Sequence, residues 1–157
     1  MSQQNGTLTT WRKLSRYPGG RWLFSRVVAH TAPYFATIRP RILELEPGLC
    51  RVRIRKRRRV QNHIGTVHAI AICNMAELAA GVMIEASLPP SHRWIPKGMT
   101  VDYLKKAATH LTATAELDPL PAFGEGEDVP IPVSVRDENG EEVVHATITM
   151  WVTPKKT

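Results

Sequence analysis

The chain has 157 residues, enough for one domain with a true core, and a composition of 43% hydrophobic and 22% charged residues excludes overall disorder. A formal net charge of +7 points to an anionic partner (nucleic acid, a lipid surface or a phosphate-bearing small ligand) without choosing among them. The two cysteines, Cys50 and Cys73, have no CxxC spacing and no companion cluster, so no metal site and no disulfide framework are expected; free thiols fit a reducing cytoplasm.

The leading stretch MSQQNGTLTTWRKLSRYPGG is polar, without the apolar core of a signal peptide, and no apolar run approaches the length of a membrane span. From residue 9 to 35, the pair Thr9 and Thr10 reads as a helix cap, and Trp22, Leu23, Val27 and Val28 recur at helical spacing. Pro18-Gly19-Gly20 divides this region into a short and a longer helix, and Pro33 ends it. The arginines on its outer side suit contact with lipid or cover for a ligand, but a solvated basic face on an ordinary packed helix is the commoner case. Residues 1–33 are therefore read as an N-terminal helical extension and 34–157 as the main domain.

Strands follow. Pro47-Gly48 splits residues 37–60 into a hairpin whose second arm alternates Val52 and Ile54 with Arg51, Arg53 and Arg55. Residues 68–84 read as a helix, 94–118 as two strands joined near Lys105–Ala108, and 119–128 as a loop. Asn139-Gly140 is a strong turn signal between the last two strands. The predicted class is α+β, a mostly antiparallel sheet of five to six strands with one long central helix.

That helix, HAIAICNMAELAAGVMIE, is apolar nearly all round, so the sheet must wrap it. Gly65 supplies a tight turn before it and Thr66 its expected cap. Its first turn, near His68 and Ala69, presents free N–H groups suited to a developing oxyanion. Glu77 is the anomaly. A carboxylate among apolar neighbours either reaches a polar cleft, where it suits a base or nucleophile, or is held by a basic residue at a subunit seam. His68 and Glu77 are nine residues apart, which puts them on opposite helix faces and about 13.5 Å apart along the axis. If both act, two antiparallel central helices in a two-fold dimer would share the site.

The basic run RVRIRKRRRVQNH is the densest charge in the chain. It lacks interleaved aromatics for base stacking, and no recognition motif accompanies it, so nucleic acid is not the expected partner. Each arginine is equally readable as a phosphate contact or as part of a solvated strand face. Cys73 reads as packed in the helix, no base being placed for it by sequence.

The pattern Asn62, five residues, His68-Ala69, eight residues, Glu77 resembles the active-site segment of hotdog-fold acyl-CoA thioesterases. The phenylacetyl-CoA and 4-hydroxybenzoyl-CoA thioesterase-like groups share this segment, while the longer N-terminal lead and NHIGTVH look more like a bacterial subfamily related to the YiiD C-terminal domain. The likeness covers about residues 34–153. It implies a hotdog fold, hydrolysis of an acyl-CoA or acyl carrier protein thioester, a homodimer or dimer of dimers, and coenzyme A as part of the substrate with no further cofactor. By position, Glu77 would activate water or attack directly, the Ala69 N–H would polarise the carbonyl, Asn62 would help hold it, and His68 would orient substrate and loop. Arg57, Arg58, Arg59 and Arg93 would face the coenzyme A phosphates. His63 reads as a loop residue. Met75, Leu78, Val82 and Met83 are candidate acyl-pocket lining, though core packing is the commoner role for such residues. Two departures stand out. Ala69 replaces the usual glycine, and Gly81 cannot supply the hydroxyl some relatives carry one turn after the carboxylate; Ser91 or His92 is the candidate for the serine that others carry further on to hold the water. A non-catalytic acyl-CoA or lipid-binding module is the alternative that Ala69 favours.

Overall fold

A computed structural model describes residues 5–156; the first four residues of the expected extension, and Thr157, lie outside them. Two helices, α1 (Gly6–Leu14) and α2 (Gly20–Thr31), are separated at Pro18-Gly19 as expected, and a 3₁₀ turn (Pro33–Ile38) leads into the sheet. The cap of α1 is Asn5 rather than the threonine pair: its Oδ1 accepts from the N–H groups of Thr7 and Leu8. Thr10 lies inside the helix and turns its hydroxyl onto Gly6 O instead.

The hairpin forms as read, with β1 (Arg41–Glu46) and β2 (Leu49–Ile54) meeting at Pro47-Gly48. Its alternation also holds. Cys50, Val52 and Ile54 are buried, while Arg51 and Arg53 turn outward to pair with Glu44 and Glu138. The central helix α3 runs Ala69–Ser87. Its extra turn beyond residue 84 ends at Leu88, just before Pro89-Pro90 forbid continuation. With a mean hydropathy of 1.5, α3 is by length and composition long enough to cross a membrane, contrary to the expectation from the sequence. Its burial under the sheet is what a core helix shows: Met75, Leu78, Ala79, Met83 and Ile84 are all but inaccessible.

Four strands follow: β3 (His92–Tyr103), β4 (Leu111–Glu116), β5 (Glu127–Arg136) and β6 (Glu142–Pro154). The sheet order is β1-β2-β4-β5-β6-β3, every pair antiparallel. The two strands joined near Lys105–Ala108 are therefore not neighbours. β3 lies on the far edge against β6, and β4 crosses back to sit between β2 and β5. Six antiparallel strands around one apolar helix make the hotdog fold that the sequence led us to expect.

The helical extension is bolted to this core. Trp11 and Phe24 meet edge-to-face at 5.2 Å between centroids and belong to the same buried cluster as α3. Buried Ser25 donates to Arg21 O and accepts from the Ile42 N–H, so both its hydrogen-bonding roles are satisfied while it ties α2 to the edge strand β1. Asn5 does the same at the other end of the extension, its Nδ2 donating to Glu85 O and to Leu88 O at the C-terminus of α3.

Candidate active site

The loop before α3 is closed by Asn62. Its Oδ1 accepts from the N–H groups of Ile64 and Thr66 (both 3.1 Å), and its Nδ2 donates to Thr66 Oγ1 (2.8 Å). The backbone N–H of Asn62 also bonds Thr66 O, and Gly65 takes the left-handed conformation (φ 78°) that the turn requires. Asn62 thus braces the loop, with one amide hydrogen left for anything else. Thr66 is consumed by this brace and is not the cap of α3. The cap is His68, whose Nδ1 accepts from the Ile70 N–H at 3.0 Å. Its ring is exposed, and Nε2 has no partner among the described residues. The N–H of Ala69 finds no acceptor among the described residues. His63 is exposed in the loop.

Cys73, Glu77, Gly81 and Glu85 succeed one another at four-residue steps, which makes a single stripe on α3. The edge strand β3 runs over this stripe and touches it at two places. Tyr103 OH lies 3.5 Å from Cys73 Sγ, and the Trp94 indole N–H donates to Glu85 Oε2 at 2.6 Å. Glu77 occupies the turn between these contacts. It is half-buried and has neither hydrogen bond nor ion pair among the described residues, so no basic residue of its own chain holds it.

Gly81 explains one departure noted above. A Cβ there would come within 2.9 Å of the Trp94 ring, so the space of a hydroxyl-bearing side chain is filled by indole. Ser91 and His92 bond each other (2.9 Å), and His92 also meets Gly124 O, beyond the C-terminal end of α3. Cys73 is half-exposed beside Tyr103 rather than packed away. Of the candidate acyl lining, Met75, Leu78 and Met83 are sealed inside the chain and Val82 nearly so.

The arginines divide into two places. Arg57 donates to Thr37 O at 2.6 Å, and burial, then Arg39, then Arg59 push its ionisation below the usual guanidinium range. Arg39, Arg57 and Arg59 therefore gather near the N-terminal end of α3, with Arg58 exposed beside them. Arg93, on β3, lies at the other end of the helix, about 20 Å or more away at 1.5 Å per helical residue. One chain does not bring all four together.

Sequence reasoning missed Trp94, Tyr103, Arg39 and Asn74. Asn74 is buried one turn before Leu78 and next to the Glu77 stripe; its Nδ2 donates to Thr37 Oγ1 at 3.3 Å and its Oδ1 has no partner. A lone asparagine in an apolar helix was the available signal.

Among solved structures, the chain is similar to a structural-genomics protein at 43% identity, covering 95% of this chain and 99% of that one with a TM-score of 0.83. A Pseudomonas aeruginosa protein described as a probable thioesterase matches at 21% identity, over 83% of this chain and 93% of its own, with a TM-score of 0.74. A Haemophilus influenzae thioesterase matches at 13%, over 77% and 82%, with a TM-score of 0.68. At these lower identities the likeness is one of fold. A search of curated proteins returned no match. The family model for DUF4442, a domain of unknown function, matches residues 20–152, and the chain belongs to that family.

Proposed function

We propose that this protein is a thioester hydrolase acting on acyl-CoA or acyl carrier protein thioesters, with a site shared between two subunits. The observation that carries the reading is an unpaired, half-buried Glu77 facing the β3 edge, on a helix whose first turn leaves the Ala69 N–H unused. Both groups lie on α3, too far apart to meet on one carbonyl within a chain. An antiparallel α3 from a second subunit would set its Ala69 N–H opposite Glu77, and the reverse.

In that site Glu77 takes a proton from water, and the water oxygen attacks the carbonyl carbon. The carbonyl electrons move to oxygen, where the Ala69 N–H and the positive end of the α3 dipole stabilise them. Collapse expels the thiolate, a good leaving group, which takes the proton held by Glu77. Direct attack by Glu77 followed by hydrolysis of the anhydride is the other route open to the same carboxylate. His68 stiffens the helix start and directs Nε2 to the cleft, and Asn62 holds the loop. The Arg39, Arg57 and Arg59 cluster, with Arg58, receives coenzyme A phosphates, joined by Arg93 from the second subunit. The dimer is supported by β3 itself. It is a twelve-residue edge strand that leaves Ile95, Met99 and Tyr103 exposed, with Leu104 exposed just past its end, an edge that proteins ordinarily cover. Unpaired thiols support a cytoplasmic location.

Thiol release from a panel of acyl-CoA substrates tests the reading. Wild-type turnover that falls at least about a hundredfold in Glu77→Gln, with ligand binding and fold retained, is the expected result. Tight acyl-CoA binding without turnover across the panel would instead establish a binding module, the alternative that Ala69 favours.

A further inference from the structure

The charge of this molecule is segregated. Residues 1–43 contain seven lysines and arginines and no aspartate or glutamate, whereas the remainder balances fourteen of each, so the whole net charge of +7 resides in the N-terminal part. Of those seven cations only Arg12 is in an ion pair among the described residues, with Glu46 at 2.9 Å. Lys13, Arg16, Arg21 and Arg26 are exposed on or between α1 and α2.

The same part carries apolar surface that nothing among the described residues covers. α2 buries Phe24, Ser25 and Ala29. On its outer face, Trp22 is 55% exposed, Val27 49% and Leu23 45%. Steps of 100° per residue put Trp22, Arg26, His30, Leu23 and Val27 within one 140° sector. The Arg26 guanidinium lies over the Trp22 ring, 5.9 Å from its centroid. Tyr17, before α2, and Tyr34, after it, are each about two-thirds exposed. Indole and phenol rings, short aliphatic side chains and cations, with no anion among them, are the composition of a helix that lies in a lipid headgroup layer.

We infer that the exposed face of α2, with the cations of α1 and the intervening turn, docks this protein onto an anionic phospholipid surface. A second copy of the chain fits this face less well, because an isologous contact would set the same uncompensated cations against each other. Nucleic acid would use the charge but leave Leu23 and Val27 without a role. The inference does not depend on hydrolysis. It adds a place of action, where acyl groups partition between water and bilayer.

Co-sedimentation of the intact protein with vesicles provides the test. Vesicles of phosphatidylcholine containing phosphatidylglycerol should retain the protein at low salt, and pure phosphatidylcholine should not. Retention should fall as salt rises. The exposed changes Lys13→Glu and Arg16→Glu should each weaken partitioning about fivefold or more, since one cation near such a surface is worth roughly that factor. Val27→Asp should abolish retention while leaving far-ultraviolet circular dichroism and thioester turnover unchanged. Wild type that fails to bind anionic vesicles at low salt overturns the proposal, as does Val27→Asp binding as well as wild type. If Val27→Asp instead lowers the mass in sedimentation velocity, the face is a subunit contact and the lipid reading is wrong. Lipid binding without thioester turnover would leave this inference standing and remove the hydrolase reading, so the two fail separately.

Discussion

His68 has two jobs that can be pulled apart. As the cap of α3 it offers Nδ1 to the Ile70 N–H, a task that aspartate or serine performs as well. His68→Ala should therefore lower stability by about 1 kcal/mol, and His68→Asp should restore it in chemical denaturation. If the unpartnered Nε2 also orients substrate, His68→Asp will be stable yet slower; full activity in that variant removes the histidine from the mechanism. Asn74 makes the opposite case. Its one hydrogen bond is long and its Oδ1 is buried and idle, so Asn74→Leu should change the unfolding free energy by less than about 1 kcal/mol or raise it. The thiols differ just as plainly. Cys50 is fully buried and its thiol is pushed far up by burial, then by Glu44, while Cys73 is half-exposed. A disulfide-exchange reagent should modify one thiol in the native protein and two after denaturation, and Cys73→Ser should abolish the native reaction. None of these distinctions was legible from residue types. Histidine is not a customary cap, Thr66 is, and only the loop geometry shows that Asn62 has already claimed that threonine.

The elements themselves were largely readable where contacts are local. Pro47-Gly48 and Asn139-Gly140 form the expected turns, and the apolar run before Ser87 forms the central helix. The sheet order was not, because β3 finds its partner β6 some fifty residues later, and no local pattern encodes that choice. A bulge deepens the difficulty. Between Pro96 and Gly98 the register against β6 gains one residue, so Trp94 and Tyr103, an odd number apart, both face α3. Simple alternation would send them to opposite sides. Once they are placed, the requirement for glycine at position 81 follows. Gly81→Ala should drive the Trp94 ring aside and cost about 1–3 kcal/mol, with a change in tryptophan fluorescence as the readout; Gly81→Ala combined with Trp94→Leu should recover much of the loss.

For the molecule as a whole, the proposed shared site makes activity a property of the dimer. Met99→Asp with Leu104→Asp places one charge on exposed β3 and one just past its end, and should yield a folded monomer in sedimentation experiments, with turnover lost in parallel. A monomer that still hydrolyses thioesters would place the oxyanion donor and Glu77 within one chain and defeat the two-subunit mechanism. The apolar content of α3 was enough to foretell a wrapped helix, but not which edge stays open, since that is decided only when the last strand has taken its place.

Asn5 joins the first turn of α1 to the end of α3, accepting from one and donating to the other. Proteolytic trimming just past this residue would therefore be felt some eighty positions away, where carbonyls of α3 would lose their donor. Amide exchange at the close of α3 should quicken in step with fraying of α1, although no peptide bond near it had been cut.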